Sequence, residues 1–368
     1  RRVGYFPPYE GWGPFEEAVC KLNENLSLIR IFVYANRLSR AVEDWQSKEA
    51  KEAALKTLEG GLVEENNEVR LDISTDFWKD KLKEFTLTLV KHGVSHVQLD
   101  GFPHLEPEEC YDRDHSHPLG LKGNWTTRHW LDLLKEIDRR ATEIDDDFVL
   151  GAESIAEPFL NYLDLYHMRE SWQEVSPEGS GVLEGYVNVV PAFSYVYHQN
   201  IIPLGHFNKY LSKRFNTRYH LLGLSRILKW GKLPSYNFRD LLPSGDLNEK
   251  AFDYLKEIVS ARQNYAKKYL VLGQMVKAPK IDSPNTNIPI SFPRSNVDRT
   301  LEVSSIQYSG WKAEDGSIGV ILTNISRRKQ KVELPLSEDR FPALKEYGPS
   351  RLNVTVNGET VREIVDYK

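Results

Sequence analysis

The stretch Val94-Ser-His-Val-Gln-Leu-Asp-Gly-Phe-Pro103 decides the fold that this sequence predicts. Residues 94–99 predict a short buried strand, which ends on the carboxylate of Asp100 and is broken at once by Gly101 and Pro103. A carboxylate at the carboxyl end of a strand occupies the position at which α/β barrels carry their chemistry. The stretch therefore predicts a barrel strand and, at its end, a candidate catalytic residue.

A second stretch, Asp147-Phe-Val-Leu-Gly-Ala-Glu153, repeats this arrangement with an apolar run that ends on Glu153. Two carboxylates on successive strands predict one site, in which Asp100 is the nucleophile or base. Such pairs suit glycoside cleavage, in which one group protonates the leaving oxygen while the other attacks or activates water. Glu157, one helical turn further on, is a rival for Glu153. The alternative is that each carboxylate caps a helix or pairs with an arginine.

Composition narrows the class of protein. At 368 residues, with 40% apolar and 27% charged residues, the chain has the make-up of an ordinary globular protein with room for one large and one small domain. Its net charge of -5 argues against a nucleic-acid partner, which would bind a basic face. Eight tryptophans and eighteen tyrosines are suggestive, since aromatic rings pack against sugar rings as well as in cores. Cys20 and Cys110 are too few for a disulfide framework.

The start of the chain, Arg1-Arg2-Val3, does not resemble a signal peptide, and no apolar run is long enough to cross a bilayer. The sequence is therefore compatible with either an extracellular or a cytoplasmic location. Val3 to Phe6 offers a strand end at most, so the first barrel strand is largely missing. We expect an upstream segment to supply this strand. The protein partners that we expect are therefore an upstream domain or a second copy of the chain in a homo-oligomer.

Helices and strands alternate up to residue 283, and strands alternate with turns after it. Helices are predicted at residues 11–25, 47–58, 76–92, 125–145, 158–168, 210–230 and 248–269. Strands are predicted at residues 28–34, 68–74, 94–99, 147–153 and 185–198, near 226–233 and 269–275, and then at 301–311, 317–324, 330–336 and 353–356. The α/β pattern predicts a (β/α)8 TIM barrel over residues 1–283, followed by a small antiparallel β-sandwich domain over residues 284–368.

The segment from Pro103 to Asn124 is long and polar, which predicts a functional loop over the strand ends. It contains Cys110-Tyr-Asp-Arg-Asp-His-Ser-His117, in which the aspartates and histidines are metal-ligand types. Their spacing fits no closed zinc pattern. The favoured prediction is therefore a loop that contacts substrate, with Asp112, His115 and His117 as hydrogen-bonding residues, rather than a metal site.

Further polar residues are expected at the same rim of the barrel. Tyr34, Asn36 and Arg37 follow the second strand, Asp72 lies within the third, and Tyr197 and His198 follow the sixth. Each can equally be structural, and His198 taken alone fits a packing histidine. The sequence contains no Gly-rich phosphate loop, Ser-His-Asp order or Cys-x-x-Cys, which argues against kinase, hydrolase-elbow and redox chemistry.

Four stretches together resemble a known family: residues 93–100, 109–118, 148–158 and 191–205. They are similar to the glycosidase-like barrels grouped as domain of unknown function 6259, and more distantly to α-amylase-type and α-galactosidase-type barrels. The resemblance runs from about Phe6 to about Val332. It implies a (β/α)8 barrel with a nucleophilic Asp after strand four, here Asp100, and an acid/base Glu after strand five, here Glu153.

The sequence departs from that pattern in two places. A Gln is expected after the strand-four Asp, whereas Gly101-Phe102 stands here. The third acidic residue that amylase-type barrels carry after strand seven has no clear counterpart between Trp230 and Asp246. Both departures concern the mechanism rather than the fold.

The leading hypothesis is a glycoside hydrolase that acts on an α-linked sugar with retention, uses a carbohydrate as substrate and requires no cofactor. A second hypothesis is a catalytically inactive barrel that binds glycans or serves as a module of a larger assembly. A third is a metal-dependent hydrolase that uses the histidine and aspartate residues of the loop.

Overall fold

The computed structural model describes residues 8, 10–25, 30–103, 109–168, 191–206, 217–235, 247–292, 297–326, 328–334, 351–356 and 359–365. The chain divides into two compact units, residues 1–167 and residues 168–368. Within the described ranges, no helix combines the length and the apolar character needed to span a membrane.

The first unit is built on parallel strands linked by helices. Its helices are α1 (Trp12–Asn25), α2 (Lys48–Glu52), α3 (Asp76–Lys91) and α4 (Asn124–Thr142). Its strands are β1 (Arg30–Tyr34), β2 (Arg37–Ser39), β3 (Glu64–Glu65), β4 (Glu68–Arg70), β5 (His96–Asp100), β6 (Val149–Ala152) and β7 (Leu165–Met168). Strands β1, β5, β6 and β7 are neighbours in that order and run parallel. Helices between parallel strands give a TIM-barrel-like α/β fold.

One face of β5 is apolar and lies in the core. Val97 and Leu99 are completely buried, and α3 packs against both β1 and β5. The inner face of α3 carries Trp78 and Leu82, which are also completely buried. The Trp78 indole N–H donates a hydrogen bond to the Ala35 carbonyl at 2.9 Å, so the helix is fixed to the end of β1 as well as packed on it.

The opposite face of β5 is polar. Alternate residues of a strand point the same way, so His96, Gln98 and Asp100 share this face. Arg30 on β1 is paired with His96 in the sheet, and its guanidinium donates to the Gln98 side-chain oxygen at 3.1 Å. The His96 ring lies against Gly151 of β6, where a Cβ would stand 2.7 Å from its Nε2. A row of polar side chains therefore leads along β5 to Asp100.

Several predictions for this unit are wrong in detail. The predicted third barrel strand, residues 68–74, is only Glu68–Arg70, and it lies in a small antiparallel sheet with β2 and β3. Asp72 comes after this strand rather than within it. The predicted solvated helix at 47–58 ends at Glu52, because Ala54 turns inward to form an antiparallel bridge with Leu71. Local composition did not reveal either tertiary pairing.

The predicted helix at 158–168 is wrong as well. A single 3-10 turn, Glu157–Phe159, is followed by β7, whose four residues are all buried and which pairs with Gly151 and Ala152 of β6. The periodicity of a short buried apolar run does not distinguish a strand from a helix. Here the pairing with β6 makes the run a strand.

The second unit combines helices with antiparallel strands. Its helices are α5 (Ala192–Tyr197), α6 (Thr217–Lys229), α7 (Glu249–Ser260) and α8 (Lys267–Leu270). Its strands are β8 (Ile202–His206), β9 (Leu233–Ser235), β10 (Gln274–Val276), β11 (Asn285–Phe292), β12 (Val297–Ser304), β13 (Ile306–Lys312), β14 (Ile318–Asn324), β15 (Arg351–Val356) and β16 (Glu359–Val365). Strands β8 and β9 are parallel, whereas β10–β13–β14, β11–β12 and β15–β16 form antiparallel sheets.

The core of the second unit joins both kinds of element. Leu222 of α6, Leu255 of α7, Leu301 of β12 and Trp311 of β13 belong to one buried cluster. Antiparallel strands are therefore present after residue 284, and β12 and β13 pack on helices that precede them. A separate sandwich domain beginning at residue 284 stays a prediction.

Several strand predictions in this unit need correction. Residues 226–229 of the strand predicted near 226–233 belong to α6, and the strand, β9, begins at Leu233. Residues 192–197 of the predicted sixth strand form α5, and the strand, β8, begins at Ile202. The barrel strand predicted near 269–275 is β10. It pairs with β13 in an antiparallel sheet rather than with a strand of a parallel barrel sheet. Residues 330–334 form neither helix nor strand. The predictions for residues 3–6, 185–190 and 210–216 lie outside the described residues.

The buried polar row predicts an acid sensitivity of the first unit. Burial, with a smaller contribution from Arg30, lowers the pKa of His96 to about 3. In an unfolded chain the same residue titrates near its ordinary value of 6.5. Between these values the unfolded chain binds more protons, so acidification through this window favours unfolding. We expect His96 to account for about 2 kcal/mol of the stability lost between about pH 7 and about pH 5.

Denaturant unfolding at both pH values, followed by circular dichroism, measures this loss. His96→Gln carries no titrating group in the window, so its loss should be smaller than that of the wild type by about the same amount. Equal losses in the two proteins would contradict the assignment to His96.

Candidate functional site

Asp100 and Glu153 come together at one edge of the parallel strands. Asp100 is the last residue of β5, and Glu153 follows Ala152, the last residue of β6. Because Leu99 is paired in register with Ala152, the two acidic residues leave neighbouring strands at the same level. Both are half-buried. The predicted pair is therefore present at the carboxyl end of the strands.

The backbone after Asp100 holds Glu153 in place through two hydrogen bonds. The Gly101 N–H donates to the Glu153 carboxylate Oε2 at 2.6 Å, and the Glu153 N–H donates to the Phe102 carbonyl at 2.9 Å. The Phe102 ring is completely buried, with its centroid 4.1 Å from that of Trp130 and 4.8 Å from that of Phe159. Gly101-Phe102, where the sequence departs from the family pattern, thus connects the two acidic residues.

A half-buried cation, Arg30, lies on the same face as Asp100. Burial lowers the pKa of Arg30 to about 10, and the nearby charge of Asp100 acts in the opposite direction. Arg30 is therefore still positively charged at neutral pH, and its attraction to Asp100 favours the ionised carboxylate. Tyr34, paired with Asp100 across the sheet and half-buried, is the nearest predicted contact residue along β1.

The other predicted contacts of this unit differ in their surroundings. Neither amide atom of the buried Asn36 side chain has a hydrogen-bond partner among the described residues. The Arg37 guanidinium lies 3.4 Å from the Glu68 carboxylate, so it ties β2 to β4. Glu157 is exposed at the start of its 3-10 turn. Of these residues, Asn36 has polar atoms that could bind a ligand, whereas the Arg37 guanidinium is already paired with the Glu68 carboxylate.

Tyr197 and His198 belong to the second unit. The buried His198 ring has its Nδ1 3.0 Å from the Gly273 carbonyl and its Nε2 3.4 Å from the Gly231 carbonyl, and it meets the Trp311 ring edge-on. Burial lowers the pKa of His198, so the ring is neutral. These contacts account for His198 as a packing histidine rather than the predicted sugar contact. Tyr197 is half-buried beside Phe193.

The remaining predicted residues form a second group in the first unit. The Asp72 carboxylate Oδ2 lies 2.7 Å from His115 Nδ1 and 2.7 Å from His117 Nε2. Cys110 Sγ lies 3.4 Å from the same His115 nitrogen. The four ligand atoms are all within 4.8 Å of one another. We refer to Asp72, Cys110, His115 and His117 as the four-ligand cluster.

The four-ligand cluster is buried, and it is held by charge as well as by packing. The side chains of Asp72 and His117 are completely buried, and that of His115 is 4% exposed. Burial opposes the protonation of His115, but its close contacts with Asp72, Cys110 and the Glu52 carbonyl outweigh it and raise its pKa to about 10. Burial would raise the pKa of Asp72, but the adjacent His115 ring and the hydrogen bond from the Ser74 N–H hold that pKa below its usual value.

An ion pair lies beside the four-ligand cluster. Asp112 is 6% exposed, and its carboxylate lies 2.5 Å from the Lys56 ammonium. The predicted sugar contacts Asp112, His115, His117 and Asp72 therefore turn toward one another and away from solvent, which argues against an open rim. Sequence reasoning missed Cys110 and Lys56 as members of this region, although Cys110 opens the motif that contains both histidines.

The fold resembles that of solved carbohydrate-active enzymes. The α-N-acetylgalactosaminidase NagBb of Bifidobacterium bifidum, bound to GalNAc, superposes with a TM-score of 0.53 at 14% identity, over 87% of this chain and 47% of that one. The α-amylase of Geobacillus thermoleovorans, bound to acarbose, gives 0.54 at 14% identity over 90% and 73%. The galactosidase domain of the α-galactosidase-sucrose kinase AgaSK gives 0.53 at 12% identity over 88% and 40%. The chain thus spans about half the length of the bifidobacterial enzyme, and at these identities the likeness shows the fold alone.

No curated protein matches the sequence. The family model described as domain of unknown function (DUF6259) matches residues 3–210, which is more than half of the chain. The protein therefore belongs to the DUF6259 family, with a fold distantly related to those of α-N-acetylgalactosaminidases, α-galactosidases and α-amylases.

Proposed function

We propose that this protein is a glycoside hydrolase that cleaves an α-linked sugar with retention of configuration. The observation that carries the proposal is the pair of carboxylates at the ends of β5 and β6, joined through the Gly101 N–H. One residue of such a pair can attack a sugar while its partner protonates the departing oxygen. The likeness in fold to enzymes named for α-linked substrates supports the same class.

Asp100 is the proposed nucleophile. Its carboxylate attacks the anomeric carbon and forms a glycosyl ester as the bond from that carbon to the leaving oxygen breaks. A nucleophile must be ionised, and the half-buried Arg30 cation on the same face favours that state. The polar row beneath Asp100 fixes Arg30 through Gln98.

Glu153 is the proposed acid/base. Its carboxylic acid gives a proton to the leaving oxygen, and the resulting carboxylate then takes a proton from the water that attacks the glycosyl ester and releases Asp100. The Gly101 N–H on Oε2 orients the carboxyl group and is compatible with a proton on the other oxygen. Both partial reactions therefore return the two residues to their starting states.

The finer architecture belongs to the same proposal. The parallel strands are part of a (β/α)8 barrel over residues 1–283, and the antiparallel strands after residue 284 form a sandwich. Tyr34, Asn36 and Glu157 are the proposed substrate contacts of the first unit.

Replacing either carboxylate tests the assignment. Asp100→Asn and Glu153→Gln should each lower hydrolysis by about a thousandfold or more, because each amide keeps the shape of the side chain but can neither attack nor transfer a proton. Activity is measured on a panel of aryl α-glycosides and polysaccharides, and circular dichroism checks the fold. Asp132→Asn, an exposed carboxylate on α4, is the matched control and should keep wild-type activity. Wild-type turnover by either site variant would sink the assignment.

Azide rescue separates the two roles and the stereochemistry. With an aryl α-glycoside, Asp100→Ala should be reactivated by azide and give the β-glycosyl azide, since azide replaces the missing nucleophile from the opposite face. Glu153→Ala should give the α-glycosyl azide, since azide then attacks the glycosyl ester. Proton magnetic resonance of the products identifies the anomers. A β-azide from both variants would contradict retention through Asp100.

A further inference from the structure

The four-ligand cluster is not used by the proposed glycosidase chemistry. It collects one carboxylate, one thiol and two imidazoles, and the ligand atoms of all four residues lie within 4.8 Å of one another. Sulfur, nitrogen and oxygen ligands of this kind are those that zinc takes in proteins. The question is whether protons alone, or a metal ion, hold these groups together.

The backbone orients both histidines so that, in the neutral form that binds a metal ion, their lone pairs point inward. His115 Nε2 lies 2.6 Å from the Glu52 carbonyl, and His117 Nδ1 lies 3.1 Å from the Pro118 carbonyl. A carbonyl can only accept, so in each neutral ring the outer nitrogen carries the hydrogen. The inner nitrogens, His115 Nδ1 and His117 Nε2, then present lone pairs to the cluster. Backbone acceptors play this orienting role around metal-bound histidines.

The inward lone pairs meet a carboxylate oxygen. Asp72 Oδ2 lies 2.7 Å from each inner nitrogen, yet His117 Nε2 and Asp72 Oδ2 have no hydrogen bond of good geometry with any described residue. Two acceptors at this separation repel each other unless a proton or a metal cation lies between them. The completely buried His117 nitrogen, aimed into the cluster, is therefore an observation of its own that points to a positively charged ligand.

A divalent cation also matches the charges of the four-ligand cluster. With a metal ion bound, both histidines are neutral ligands while Asp72 is a carboxylate and Cys110 a thiolate, so the four ligands carry two negative charges. Burial of uncompensated charge is costly, and a divalent cation would bring the group to neutrality. The neighbouring Lys56 does not supply that charge, since its ammonium pairs with Asp112.

We propose that the four-ligand cluster is a structural zinc site with Asp72 Oδ2, Cys110 Sγ, His115 Nδ1 and His117 Nε2 as its ligands. Four protein ligands with buried side chains close the coordination shell, which is the character of a structural rather than a catalytic zinc site. The Asp112 N–H lies 3.5 Å from Cys110 Sγ and would stabilise a thiolate.

Three of the separations between ligand atoms lie close to those of a tetrahedral site. Tetrahedral zinc bonds of about 2.0–2.3 Å place neighbouring ligand atoms about 3.3–3.6 Å apart. Cys110 Sγ and His115 Nδ1 are already 3.4 Å apart. The two 2.7 Å separations at Asp72 Oδ2 need to widen by about half an ångström, which rotation of the carboxylate can supply.

The proposed site would join two segments that are distant in sequence. Asp72 lies in the turn before α3, where its Oδ1 accepts from the Ser74 N–H at 2.7 Å. The other three ligands lie in the loop after β5, and the His117 ring stacks on Trp125 of α4 at 4.4 Å. Zinc would thus fasten the loop that follows Asp100 to the start of α3, and its contribution would be to stability. The proposal holds whether or not the protein hydrolyses glycosides.

Cobalt titration of the full chain tests the proposal without any substrate. The purified protein is stripped with a chelator and titrated with Co²⁺ under reducing conditions, and absorption and circular dichroism spectra are recorded. We expect one Co²⁺ per chain, visible bands of tetrahedral cobalt and a thiolate-to-cobalt charge-transfer band, all lost when one equivalent of Zn²⁺ displaces the cobalt. Zinc should also raise the unfolding temperature of the stripped protein.

Ligand variants locate the site. Cys110→Ser should lose the charge-transfer band, and His117→Gln should keep that band but bind cobalt at least tenfold more weakly. Cys20→Ser removes the exposed cysteine instead and should behave as the wild type. An unchanged charge-transfer band in Cys110→Ser would overturn the assignment. So would a folded wild-type protein that gives no such band with Co²⁺, and that result stands even if the variants fail to fold.

Discussion

Parallel pairing of β5 with β1 and β6 is the interaction on which the first unit depends. The pairing holds β5 between its neighbours, with its apolar face directed into the core. It also aligns Leu99 with Ala152, so that Asp100 and Glu153 leave their strands side by side. The hydrogen bonds between Gly101-Phe102 and Glu153 then fix what the pairing has aligned. Without this register the two carboxylates would be unrelated acidic residues, because a shift of one residue turns each side chain to the other face.

The polar face of β5 adds an electrostatic constraint to this geometry. Buried polar groups need partners, and the Arg30 guanidinium satisfies the Gln98 side-chain oxygen while holding a positive charge on the face that ends at Asp100. His96 is buried beside them, where Gly151 leaves room for its ring. Stability and the proposed chemistry thus rest on the same strand, which explains why its sequence alternates apolar and polar residues.

The four-ligand cluster shows a different relation between sequence and structure. The motif from Cys110 to His117 displays ligand types, but its spacing alone does not indicate that they converge. Convergence depends on Asp72, far upstream, and on the Glu52 and Pro118 carbonyls that orient the two rings. A loop predicted to contact substrate is instead turned inward, since its polar side chains find partners within the fold.

The sequence by itself determined the strand that ends on Asp100, the matching run that ends on Glu153, most long helices and the family, because these depend on local pattern and quoted motifs. Only the tertiary structure decided that Glu68–Arg70 lies outside the parallel sheet, that β7 is a strand and that His198 packs against Trp311. Those outcomes depend on which distant segments pair and on what burial permits. The local propensities of the residues do not predict such contacts.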